Sequence, residues 1–107
     1  MIILEEAIKL VLEKINGNGI LDKNPPYILK EYIIEYKWGW LIPYDSEDHV
    51  LNGNIESAYI GNVPVFVDKF DGTTFYCNRF PLHPDTKIEN YAMQKYPEKF
   101  FSREEEE

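Results

Sequence analysis

One cysteine, Cys77, is all the chain of 107 residues contains, which excludes an internal disulfide and any zinc site built from several cysteines. Histidine is nearly as scarce. His49 and His83 are the only imidazoles, and at 34 positions apart they do not form a metal-ligand pair. Basic residues are also few: 11 Lys and Arg stand against 19 Asp and Glu, for a formal net charge of -8. That balance argues against nucleic acid as a partner, because phosphate-backbone binding needs clustered Lys or Arg to release counterions. No run approaches the ~18–20 apolar residues of a membrane span, so a membrane is not expected as a partner either. There is no Gly-x-Gly-x-x-Gly, no phosphate loop and no Gly-x-Ser-x-Gly nucleophile elbow. Residues 1–12 are interrupted by Glu5, Glu6 and Lys9 and lack a basic start or small-residue cleavage site, so the expected address is cytoplasmic.

What is present is a core. Apolar residues make up 44% of the chain, too many for a disordered segment, and a domain of about this length buries roughly two thirds of its unfolded surface. We expect one soluble domain over residues 1–101, followed by a frayed acidic tail over 102–107. Aromatics reach 15%, a level that suits both strands and contact surfaces.

Leu4, Ala7, Ile8, Val11, Leu12 and Ile15 recur at helical spacing, which predicts an amphipathic helix that stops at Asn16-Gly17-Asn18-Gly19. Tyr27 to Tyr36 reads as one long strand. A tight turn at Lys37-Trp38-Gly39 leads into a second strand, Trp40 to Tyr44, whose Pro43 belongs at an edge or bulge. Val63 to Asp68 and Thr74 to Asn78 are the third and fourth strands, joined by an Asp71-Gly72 turn. After Pro84, Thr86-Lys87-Ile88-Glu89 has the capping-box pattern of a second helix, which ends at Pro97. The expected fold is therefore α+β: an antiparallel four-stranded sheet, in the order α-β-β-β-β-α, with both helices packed on one face.

The polar stretch from Asp45 to Tyr59 has no clear period, and fifteen residues is long for a connection in a compact domain. Such a segment carries either function or hidden structure. Asp45, Glu47, Asp48 and His49 could hold a cation in principle, but the turn Gly and terminal Glu of an EF-hand are missing, so neither metal nor cofactor is expected. Cys77, with no neighbour that would lower its pKa, reads as a buried inert thiol. Glu31 and Glu35 read as solvated strand positions, not as an acid/base pair. Catalysis has no positive support. An acidic, aromatic-rich surface instead suits a basic protein partner, since complementary charge speeds association and aromatics anchor interfaces.

The run Glu35-Tyr-Lys-Trp-Gly-Trp-Leu-Ile-Pro-Tyr44, then Gly61-Asn-Val-Pro-Val-Phe-Val-Asp-Lys69 and the turn Asp71-Gly72-Thr73, resembles the immunity protein 35 family. The resemblance extends over positions 30 to 96, and the block from Gly61-Asn62-x-Pro64 to Asp68-Lys69 is its most specific part. It departs after Thr73, where family members tend to have a Gly-Thr step and this chain has Cys77-Asn78-Arg79-Phe80. The block looks fold-specifying, with Asp68-Lys69 anchoring a hairpin. The resemblance implies a bacterial protein that binds and neutralises a cognate toxin, although some relatives are described as stress or chaperone-like proteins. On this reading the contact residues are Asp45, Glu47, Asp48 and Glu56, flanked by Trp38 and Tyr44. Trp38, next to the turn Gly, also reads as a cap over the core, the sheet face carrying Glu31 and Glu35 is the other candidate surface, and homodimerisation is left open.

Overall fold

Residues 1–16, 24–60 and 62–100 are described in a computed structural model of the chain. The expected helix stop at Gly17-Asn18-Gly19, the turn residue Gly61 and the acidic tail lie outside these residues. The fold class is α+β, as the sequence predicts, with the strands divided between two antiparallel sheets instead of forming one. The chain forms two units, residues 1–77 and residues 78 onward.

In the first unit, α1 (Leu4–Ile15) spans the predicted helix. Glu6 accepts the backbone N–H of Ile3 at 3.0 Å, which satisfies one donor at its start. Asn16 closes its other end, donating its backbone N–H to Leu12 O with φ at -108°, outside the left-handed region. The predicted long strand is broken in two. β1 (Pro26–Ile28) and β2 (Ile34–Tyr36) are separated by a 3₁₀ turn at Lys30–Tyr32.

The predicted second strand is broken as well, at Pro43, into β3 (Gly39–Ile42) and β4 (Tyr44–Ser46). The two breaks are one event. β1 pairs with β4 up to Ile28↔Tyr44, and β2 pairs with β3 from Ile34↔Leu41, so five residues on one side face two on the other. Pro43 has no N–H to give a ladder, and its carbonyl accepts the Leu29 N–H at 3.0 Å just before the 3₁₀ turn absorbs the excess. The hairpin thus leaves one sheet and enters the other.

The larger sheet has the order β2-β3-β5-β6, completed by β5 (Val65–Asp68) and β6 (Thr74–Tyr76). Both inner strands are buried along their whole length, on both faces of the sheet. α1 packs on one face, where Ala7 and Val11 join Trp40, Ile42, Val65 and Val67 in the core, with Ile28 and Tyr44 from the smaller sheet. Burying a Val or Ile side chain contributes about 1.5–3 kcal/mol, so this cluster is the main source of cohesion. Leu41 and Phe66 are paired on the opposite face, and the Phe66 ring lies against Tyr36 and Phe75 at centroid distances of 6.3 and 5.2 Å.

In the second unit, α3 (Pro84–Lys95) begins two residues before the predicted capping box, because His83 Nδ1 accepts the Asp85 N–H and Pro84 occupies the first turn. It buries Pro84, Ile88 and Ala92. It stops at Lys95 with Tyr96 as its C-cap, ahead of Pro97 as the sequence predicts, and Pro97 opens a separate short turn, α4 (Pro97–Phe100).

Candidate functional site

The segment from Asp45 to Tyr59 has hidden structure. Ser46, fully buried, caps a short helix α2 (Glu47–Asn52) by accepting the His49 N–H at 3.0 Å. Gly53, at φ 70°, ends it in the left-handed conformation, and a 3₁₀ turn at Ile55–Ser57 carries the chain back. Ser46, acids at the next two positions and Gly53 are helix start and stop signals. Their meaning was legible, but six residues are too few for a hydrophobic period to register.

Two carboxylates organise this loop. Asp45 Oδ1 accepts the backbone N–H of Ser46 at 2.7 Å and of Tyr59 at 2.9 Å, while Oδ2 lies 2.9 Å from His49 Nδ1. Burial pushes the Asp45 carboxyl upward, but those donors outweigh it and hold it below the ordinary carboxylate value. Asp48 accepts Asn52 Nδ2 at 2.8 Å on one oxygen, and Asn54 Nδ2 at 2.7 Å and Ser57 Oγ at 2.6 Å on the other. The Ser57, Asn52 and Asn54 donors place its carboxyl below the ordinary value as well. Asn24 ties the loop to the chain ahead of β1, donating Nδ2 to Ser57 O at 2.9 Å and accepting the Tyr59 hydroxyl on its own carbonyl. Asn62, from the specific sequence block, donates Nδ2 to the Tyr44 carbonyl at 2.8 Å.

The six residues singled out from sequence therefore divide into three pairs. Trp38 and Tyr44 are buried core residues, 6% exposed each, and do not flank the loop as surface aromatics. Burial, with Tyr76 and Tyr59 nearby, pushes the Tyr44 phenol up to about 12, so it stays neutral. Asp45 and Asp48 shape the loop. Glu47 and Glu56 are exposed, and among the described residues their carboxylates have no hydrogen-bond partner. Sequence reasoning missed the aliphatic part of this surface: Leu51, Ile55 and Ile60 are exposed at 58%, 76% and 101%. Beside α2, a groove of about 440 Å³ opens between α1, the β1 region and Val50.

Asp68 also has a local task, accepting the Phe70 N–H at 2.8 Å in the β5–β6 turn. Lys69 reaches Glu35 at 3.1 Å and lies over the Trp40 ring. Cys77, the chain's one cysteine, forms no internal disulfide and is fully buried. Among the described residues no cluster of His, Cys, Asp and Glu could hold a metal ion, and no helix is long and apolar enough to cross a membrane. Comparison with protein-family models, curated proteins and solved structures gives no match to this chain.

Proposed function

We propose that this chain is an immunity protein that binds a cognate bacterial toxin in the cytoplasm and blocks it by occlusion, with no reaction catalysed. The observation that carries the reading is the α2 loop. It holds four carboxylates and no Lys or Arg, and spends Asp45 and Asp48 on fixing its own shape while Glu47 and Glu56 face outward. A surface ordered before binding loses less entropy on association, and its charge favours a basic partner. Nucleic acid and membrane are not partners on this reading, since both are anionic.

A chaperone-like binder of unfolded chains is the second reading, favoured by the open apolar groove beside α2. The two separate in one experiment. The product of the gene adjoining this chain's own is titrated with the wild type and with Glu47→Ala/Glu56→Ala. A one-to-one complex that the double variant weakens several-fold, mainly through association rate, and that salt weakens steeply, supports immunity. No complex, together with suppressed aggregation of heated unrelated proteins, supports the chaperone.

A further inference from the structure

Asn52 and Gly53 close α2, and both are exposed. An Asn followed by Gly is the pair in which the next backbone nitrogen attacks the side-chain amide most readily. Gly has no side chain to hinder the approach, and the attack is intramolecular, closing a five-membered succinimide. The space around Gly53 is open, since even a Cβ there would meet no atom within 4 Å among the described residues.

Two hydrogen bonds hold the pair out of that reaction. The Gly53 N–H is donated to the His49 carbonyl at 3.0 Å, which ties up the nucleophile. Asn52 Nδ2 is donated to Asp48 Oδ1 at 2.8 Å, which ties up the leaving group. Both bonds lie in the last turn of a six-residue helix, and a helix that short has little stability of its own, so this end opens more readily than the core. Asp48 is the brace, because its other oxygen accepts Asn54 and Ser57 and so holds the returning chain against α2.

We propose that Asn52-Gly53 is a site of spontaneous deamidation, that opening of the α2 end sets its rate, and that the product releases the α2 loop. In the open state the Gly53 nitrogen bonds to Asn52 Cγ, its proton passes to the departing nitrogen, and the Cγ–Nδ2 bond breaks to release ammonia. Water then opens the succinimide at one of its two carbonyls and leaves aspartate or isoaspartate at position 52. Either product replaces a donor to Asp48 by a carboxylate one helical turn away, and like charges at that spacing repel. Isoaspartate also adds an atom to the backbone, which shifts the Gly53 N–H away from the His49 carbonyl. The bonds that order Asn54 and Ser57 loosen in consequence. What the α2 loop binds does not enter this chemistry.

The test incubates the full chain in warm neutral buffer and follows it by trypsin digestion and mass spectrometry. The fragment of residues 38–69 separates Asn52-Gly53 from the other Asn-Gly steps, at Asn16 and Asn18, and fragmentation places the amide-to-acid mass gain on position 52. Conversion is expected, and at a rate at least about tenfold below that of a synthetic peptide of residues 48–57, because only the open fraction reacts. Asp48→Ala should speed it about tenfold, the factor expected when a hydrogen bond to a charged acceptor is lost. Urea below the unfolding transition should speed the wild type as well, a check that does not rely on how the variant folds. Asn52→Gln, whose side chain is one methylene longer, should not convert. Asn52→Asp stands in for the product and should raise amide hydrogen exchange at Asn54 and Ser57 several-fold while leaving Val65 and Phe66 of β5 unchanged. Wild type converting as fast as the peptide, equal rates in wild type and Asp48→Ala, no conversion of either while the peptide reacts to completion, or wild-type exchange in Asn52→Asp would each overturn the proposal.

Discussion

Asp45 accepts the backbone N–H of Tyr59 at 2.9 Å, a bond that closes the α2 loop across fourteen residues of sequence. The same carboxylate holds Ser46 and faces His49, so one side chain fixes both ends of the segment. Asp45→Ala would leave the Ser46 and Tyr59 donors without their acceptor. It should cost about 1–3 kcal/mol, read as a lower urea midpoint with the slope unchanged.

The pH dependence of stability follows from the same bonds. Asp45 and Asp48 both sit below their ordinary value of 3.8 in the folded chain, so the folded state binds their protons less readily than the unfolded state does. Their contribution is complete above pH values near 4 and drains away as pH falls through the folded values. Urea midpoints measured between pH 6 and pH 2 should fall in that acidic window. The fall should be shallower in Asp45→Ala.

Gly39 tests the close approach between β3 and β5. A Cβ there would lie 2.0 Å from the Val67 carbonyl oxygen and 2.9 Å from the Phe66 ring, and neither has room to move. Gly39→Ala should cost about 1–3 kcal/mol or prevent folding. Gly53→Ala meets no atom within 4 Å and pays only for its φ of 70°, about 1–2 kcal/mol, so the two variants should differ in unfolding midpoint.

The architecture was partly legible in the sequence. α1 and the Asp71-Gly72 turn were readable because a long hydrophobic period and a turn dipeptide are strong local signals. The split of the long strand was not, since Ile28, Tyr32, Ile34 and Tyr36 all favour strand, and only the pairing of Ile28 in one sheet and of Ile34 and Tyr36 in the other reveals the break at the 3₁₀ turn that holds Tyr32. Pro43 was the available clue. For the site, counting carboxylates located the loop but could not tell Asp45 and Asp48, which are held by their neighbours, from Glu47 and Glu56, which are not. Trp38 and Tyr44 carry the same ambiguity, because an aromatic beside a turn serves core and interface equally well.

Cys77 should behave as an inert thiol. It is fully buried at the end of β6, with its backbone N–H given to the Pro64 carbonyl at 2.8 Å. Modification by a thiol reagent at neutral pH should be slow, and its rate should rise in step with unfolding across a urea series.

The proposed toxin partner is sought by co-purifying this chain with the product of its adjoining gene. A stable one-to-one complex that dissociates as salt is raised is expected, with growth restored to cells expressing both proteins. Glu47→Ala/Glu56→Ala should weaken both effects while leaving the unfolding midpoint within about 0.5 kcal/mol of wild type, as surface substitutions do. Failure of the two proteins to co-purify at low salt, with no protection of growth, would contradict it.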